Sequence, residues 1–285
     1  MPTFELGPNQ YGKAETRLVR VERAADGDRI TDLNVSVALR GDLAASHLTG
    51  DNAAVLPTDT QKNTVYAFAR EFGIASIEAF AARLAEHFVA TQPTIHEARV
   101  TIQQYPWQSL DAKHAFRRDG SEIRTATVHH GHYGTRVVSG ITGLVLLKTT
   151  DSEFHGYLKD RYTTLPETRD RILATSVDAT WRTAEGFTDP GPARAALVEA
   201  FADTYSLALQ QTLFSMGSRV LQSCPDVVEV KLSLPNRHHF LVDLAPFGLD
   251  NPNEVYYAAD RPYGLIEGVV RRDGVAIPEE VVWTF

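Results

Sequence analysis

Twice along this chain the same order of elements can be read, and that order limits the folds open to it. In the first half Leu18, Val19 and Val21 stand among charged neighbours, the Asp26-Gly27-Asp28 turn follows, and Leu33, Val35, Val37 and Leu39 alternate with polar residues. This pattern predicts a long hairpin to about Leu43, in an antiparallel sheet with one wet face. A loop from Asp51 to Pro57 then leads into Thr58-Asp59, expected to cap a helix over Thr60 to Phe72 that Gly73 closes. Ser76 opens a second helix, Ile77 to about Ala90, with Ile77, Phe80, Ala81, Leu84 and Phe88 on one face. Strands are expected over Ile95 to Tyr105 and Phe116 to His130. The second half repeats this β-β-α-α-β-β order: strands over Thr135 to Lys148 and Leu173 to Thr183, and a helical stretch over Ala193 to Leu221 that breaks near Thr204. Strands over Val227 to Leu234 and Leu265 to Arg272 complete it. No close residue-level repeat accompanies this order, so periodicity alone does not establish duplication.

Composition narrows the functional classes. At 285 residues, with 43% apolar and 22% charged residues, the chain has the makings of about two ordinary globular domains. A formal charge of −8 argues against nucleic acid as a general partner, and any site for an anion must be locally positive. The lone cysteine, Cys224, excludes an intramolecular disulfide framework and Cys-rich zinc sites, and fits a reducing compartment. The first residues lack a basic region followed by an apolar core, and nothing approaches a membrane span in length.

The stretch from Leu144 to Arg171 carries the chemistry. Val145, Leu146 and Leu147 suit a buried strand that ends in Lys148-Thr149-Thr150. Beyond it Phe154, Tyr157 and Tyr162 can wall a pocket, and Arg171 adds a planar, permanently charged fork of donors. A flat, anionic, carbonyl-bearing ring needs this pair, one member to stack and the other to pair. The run of apolar residues, Lys148, two hydroxyls, Phe154, spaced aromatics, Leu165 and Arg171 resembles the signature of the uricase (urate oxidase) family. Three further stretches are similar to that family: Gly12-Lys13-Ala14-Glu15, Pro57-Thr58-Asp59-Thr60-Gln61-Lys62-Asn63, and Leu234-Pro235-Asn236-Arg237-His238-His239-Phe240. The matches spread from near one terminus to near the other.

The resemblance implies an α+β fold of tandem tunnelling-fold (T-fold) domains, antiparallel sheets with paired helices, divided here into 1–133 and 134–285. Such sheets assemble into a β-barrel tunnel in a homotetramer with active sites at subunit interfaces. It implies a cofactor-free oxidoreductase of purine degradation, converting urate, dioxygen and water to 5-hydroxyisourate and hydrogen peroxide. Lys13, Thr58 and His238 would form the catalytic relay, with His238 rather than His239 chosen by family position. Thr58, Asp59, Phe154, Arg171, Leu209, Gln210 and Asn236 would bind substrate: Phe154 stacks, Arg171 and Gln210 grip opposite edges, and Asn236 with Thr58 holds dioxygen and then water above the ring. Leu209 departs from the valine common in the family, and Gln211 is an alternative register for Gln210. The chain ends Trp283-Thr284-Phe285 where eukaryotic members carry a peroxisomal tripeptide, so a bacterial, cytoplasmic protein is expected.

Other readings of the same residues stay open. A lysine in an alternating strand is usually solvated, and a threonine before a helix is usually a cap. His129, His130 and His132 invite a metal, but on a strand only His130 and His132 share a face, with no acidic or cysteine partner nearby. Some T-fold relatives are zinc enzymes acting on pterins; those need a His or Cys set for which Cys224 is poor support. A purine-binding tunnel protein without catalysis would keep Phe154 and Arg171 and lose the relay.

Overall fold

The alternation between Tyr11 and Gly41 is realised as a long hairpin. In the computed structural model of the chain, which describes residues 4–110, 113–259 and 261–275, β1 (Tyr11–Glu22) pairs antiparallel with β2 (Arg29–Gly41). Gly27, at φ 133°, makes the turn that Asp26-Gly27-Asp28 predicts. A short helix, α1 (Ala44–Leu48), precedes α2 (Thr58–Glu71) and α3 (Ile77–Thr91). Ser76 caps α3 as its sequence implies, its side chain accepting the Ala79 N–H at 3.0 Å. The chain continues through β3 (Ile95–Tyr105), β4 (Trp107–Ser109), β5 (Phe116–Arg118) and β6 (Ile123–Gly131). It then enters β7 (Gly134–Lys148), β8 (Leu173–Thr183), α4 (Pro190–Asp203) and α5 (Leu209–Ser223). Last come β9 (Val227–Asn236), β10 (His239–Leu241), β11 (Tyr256–Ala258) and β12 (Gly264–Arg271).

The chain divides into two compact units, the first holding residues up to Gly140 with Arg182–Thr188, the second Ile141–Trp181 with Asp189–Val275. In the first unit the strand order is β1-β2-β3-β6, each neighbouring pair antiparallel. Its core sits between one sheet face and α2 and α3: Leu33, Val35 and Leu39 of β2 meet Phe80, Leu84 and Phe88 of α3. In the second unit the order is β7-β8-β9-β12, and Trp181, Leu197, Met216 and Val230 join helices to sheet in a second core. Gly217 lets α5 pack closely in this unit, because a Cβ there would stand 2.5 Å from Val270 Cγ2. Each unit is thus an antiparallel sheet with one face under a pair of helices, leaving the other face bare.

Three expectations need correction. The helix after Pro57 begins at Thr58, not Thr60, and ends at Glu71; Pro57 takes the cap position and no side chain closes the cap. Asp59 faces along the helix instead, where Lys62 and Asn63 bind its carboxylate. The strand expected over Phe116 to His130 is two strands, because the chain turns at Asp119-Gly120-Ser121 with Gly120 at φ 63°. His132 belongs to no strand face: it and Tyr133 form the turn between β6 and β7, their rings packed edge to face. Trp283-Thr284-Phe285 lies outside the described residues.

Candidate functional site

The first unit contributes Lys13, Thr58 and Asp59. Lys13 lies in β1 opposite Val37, half-buried. The strand is fastened to the loop that enters α2 by Tyr11, whose hydroxyl accepts the Leu56 N–H at 2.9 Å and donates to the Leu56 carbonyl at 3.1 Å. Lower down, the Tyr66 hydroxyl of α2 donates to the Arg17 carbonyl of β1 at 3.2 Å. Thr58, in the first turn of α2, is half-buried, and Asp59 beside it is exposed. The Asp59 carboxyl is held below the usual carboxylate range, first by its hydrogen bond to Lys62 and also by the charge of Lys13. Lys13 therefore stands close to the start of α2.

The second unit carries the remaining residues on a frame of three segments. Glu153 N–H donates to Ser206 O at 2.8 Å and Ser206 N–H to Asp151 O at 2.9 Å, a single parallel bridge. On the other side Arg171 N–H donates to Ser152 O at 2.9 Å, while Phe154 and Thr168 exchange backbone bonds at 2.8 and 3.1 Å. Phe154 and Arg171, remote in sequence, are thereby brought side by side, with the guanidinium carbon 5.5 Å from the ring centroid. Tyr157 stacks on Phe154 with centroids 4.8 Å apart and planes 16° apart. Burial pulls Arg171 below the usual guanidinium range, and its Nε is buried with no hydrogen-bond partner among the described residues. An orphaned, buried donor of this kind is waiting for an acceptor. Lys148 explains its own place in the sequence motif: its ammonium binds the Thr204 carbonyl at 2.5 Å and the Ala202 carbonyl at 3.4 Å, closing the end of α4.

His238 follows β9 and joins the same group. Burial lowers its pKa, and the neighbouring charges of Arg171 and then His239 lower it further, so its imidazole is neutral near pH 7. Its ring stacks on Phe240, centroids 5.7 Å apart. Asn236 ends β9 opposite Gly264 of β12, half-buried. Gln210 is exposed in the first turn of α5, and Leu209 before it is buried in the core. Gln211 is committed elsewhere, its side-chain oxygen accepting the Leu207 N–H at 3.2 Å. Phe154, Arg171 and His238 thus cluster in one unit, with Gln210 one turn beyond the shared frame, whereas Lys13 and Asp59 cluster in the other.

Sequence reading missed the residues that hold this frame. Glu153, buried beside Phe154, binds His155 Nε2 at 3.0 Å through one oxygen and the Tyr205 hydroxyl at 3.1 Å through the other. The Thr212 hydroxyl of α5 donates to Ser206 Oγ at 2.8 Å. An acidic residue next to the stacking aromatic was the available signal. The three histidines do not converge: His130 Nδ1 meets Thr135 Oγ1 at 2.8 Å, and His129 is buried and pushed down to about 4 by desolvation, then by Arg99 and Arg40. No group of three or more metal-binding side chains occurs among the described residues, and none of their helices is long and apolar enough to cross a membrane.

Comparison with known proteins bears on the whole chain. The family model described as Uricase matches residues 9–129 and 137–267. The uricase of Arthrobacter globiformis is 55% identical over 274 residues, spanning 94% of this chain and 90% of that protein. The uricase of Dictyostelium discoideum is 36% identical over 277 residues, 93% of this chain and 96% of that protein. The crystal structure of uricase from Arthrobacter globiformis superimposes with a TM-score of 0.95 at 52% identity, covering 98% of this chain and 99% of that one. Two tandem sheet-and-helix-pair units, a Phe154–Arg171 clamp and relatives matched almost end to end lead to one assignment: the chain belongs to the uricase family.

Proposed function

We propose that the chain oxidises urate with dioxygen and water to 5-hydroxyisourate and hydrogen peroxide, without a cofactor, as a step of purine breakdown. The observation that carries this reading is the half-buried Arg171, its Nε unpartnered among the described residues, lying against the Phe154 ring with neutral His238 beside it. Phe154 stacks on the purine and Arg171 pairs with one edge. Gln210 reads the opposite edge, with Leu209 contributing through its backbone N–H, since first-turn N–H groups have no partner within the helix.

Dioxygen reacts poorly with closed-shell molecules unless an electron moves first. Removing protons from urate makes the ring a strong donor, so a base can serve where other oxidases use a metal or flavin. Lys13 acts as the free amine, takes the proton and becomes an ammonium, Thr58 relays it, and His238 completes the chain, a neutral imidazole being able to accept one. Asp59 lies next to this ammonium. Two electrons pass from the ring to dioxygen, giving peroxide, and water supplies the oxygen that ends on the ring. Asn236, with Thr58, holds dioxygen and then that water over the purine. The protein's share is positioning and charge placement.

The same reading includes self-association. Units 1–133 and 134–285 act as tandem T-fold domains, and Lys13 and Thr58 of one subunit complete a site with Phe154, Arg171, Gln210, Asn236 and His238 of another in a homotetramer. Supporting this, β1 is an edge strand of the first unit's sheet and β12 of the second unit's, and Val145, Leu147, Leu265 and Val269 expose 49, 50, 54 and 47% of their surface on the bare face of their sheet. The bacterial origin of the 55%-identical relative supports a cytoplasmic setting.

The test is urate's ultraviolet absorbance in aerated buffer with chelator-treated protein, peroxide being measured in parallel. Loss of absorbance with matching peroxide is expected; binding of urate without loss would reduce the protein to a purine binder. Inactive Lys13→Met and Arg171→Ala subunits, unfolded and refolded together, should regain part of the activity.

A further inference from the structure

Strict alternation along β1 gives a different Lys13 from the one observed. Leu18 packs on the core of its unit, so counting back by twos places Thr16, Ala14 and Gly12 on the core face and Lys13 on the bare face. The structure has Lys13 opposite Val37 and Thr16 opposite Val35, both core-facing positions of β2, with Ala14 and Glu15 together facing the single residue Ser36. This is a β-bulge, and it switches the parity of everything before it. Tyr11 confirms the switch, since it too packs on the core and binds Leu56 just ahead of α2.

Two features show that the bulge is built into the strand. Glu15 takes φ 55°, a region that a glutamate seldom adopts, and its N–H is held by Ser36 Oγ at 3.0 Å. The Glu15 side chain itself is exposed. On the other side of Lys13, a Cβ on Gly12 would stand 1.8 Å from the Val37 carbonyl oxygen, so only glycine permits this approach of the two strands. Lys13 is thus flanked by a close approach on one side and a strained extra residue on the other.

We propose that Glu15 and Ser36, with Gly12 on the other side of Lys13, are positioning residues: the bulge of Ala14 and Glu15 against Ser36 turns Lys13 from the bare sheet face to the helix-bearing face and aims its side chain at the start of α2. Glu15 acts through its backbone, as the extra residue, and not through its carboxylate. The inference rests on the reading of Lys13 as the base and deepens it. The influence of the Lys13 charge on Asp59 agrees with it.

The experiment compares two variants that both lack the carboxylate. Glu15→Gly keeps the bulge and suits its positive φ; deletion of Glu15 leaves Ala14 alone opposite Ser36 and straightens the strand. Urate turnover, affinity for a non-oxidisable purine analogue, and circular dichroism are measured for both, with Lys13→Met in parallel. Glu15→Gly should turn over urate within about threefold of the parent, while the deletion loses about a hundredfold in kcat, in the range a general base contributes, at analogue affinity changed by less than about threefold. A folded deletion variant as active as Glu15→Gly overturns the proposal. Should the deletion not fold, Ser36→Ala carries the test: kcat should fall by about tenfold with analogue affinity kept, and an unchanged kcat overturns the proposal equally. Full activity of Lys13→Met would instead sink the assignment of Lys13 as base, whatever the bulge variants do.

Discussion

The guanidinium carbon of Arg171 stands 5.5 Å from the centroid of the Phe154 ring, and Arg171 hangs by its backbone N–H from Ser152, two residues before Phe154. The pairing makes Arg171→Lys a severe change in a place where charge alone would call it mild. Lysine keeps the charge but loses the fork and the plane, and a charge-assisted hydrogen bond is worth about 1.5–3 kcal/mol. Affinity for a purine analogue should therefore drop by about 10- to 100-fold in a titration. The fold should be kept, because the Arg171 N–H still reaches the Ser152 carbonyl.

Neighbouring glutamines at the start of α5 should separate cleanly. Gln210 is exposed, whereas Gln211 holds the Leu207 N–H. Gln210→Ala should raise KM for urate about tenfold, one substrate hydrogen bond's worth, without changing the melting temperature. Gln211→Ala should do the reverse, lowering stability by about 1 kcal/mol through the lost hydrogen bond to the Leu207 N–H and leaving KM nearly unchanged. Initial rates and thermal unfolding on the same preparations decide it. The opposite assignment would mean that the substrate is read one residue further along the helix.

These residues also show what could be read without coordinates. The helix after Ser76 was legible because a cap residue and a one-sided apolar stripe agree, and β3 and β8 because both strand periodicity and their ends are strong. The parity of Lys13 was not legible, since a bulge inserts a residue without leaving a turn signal such as glycine at the strained position. The break inside one expected strand was legible in its Asp119-Gly120 turn signal, whereas β10 and β11, three residues each, are too short for periodicity to register. Phe154 and Arg171 drew notice as residue types. Their meeting depends on bonds from Ser152 and Phe154 to remote parts of the chain, which no local pattern announces.

Lys148 sits within the most recognisable stretch of the sequence, yet its ammonium is spent on the Thr204 and Ala202 carbonyls at the end of α4. Burial lowers its pKa, as expected for a cation drawn into the protein. Lys148→Met keeps the stem and removes the bonds, leaving carbonyls without a partner, and should cost about 1–3 kcal/mol in denaturant unfolding. The segment from Thr204 to Ser206 also holds Glu153. Analogue affinity should therefore weaken along with stability. A variant with parental stability would show that water replaces the ammonium at no loss.

His129 makes acid stability a test of the first unit. It is buried on β6 and pushed from 6.5 down to about 4, chiefly by desolvation and then by Arg99 and Arg40. In the unfolded chain the imidazole titrates near its ordinary value, so between these two values the unfolded state binds a proton that the folded state refuses. Stability must then rise with pH in this window; the contribution is full above about pH 6.5 and is lost progressively as the pH falls towards 4. Each pH step of one inside the window is worth about 1.4 kcal/mol at most, so this single residue removes about 3 kcal/mol on acidification. His129→Asn lacks the titration. It should be less stable than the parent at pH 7.5, from the altered packing, but should lose less on acidification, so the two curves of unfolding free energy against pH converge as the pH falls. Parallel curves would place the acid sensitivity in other groups of the chain.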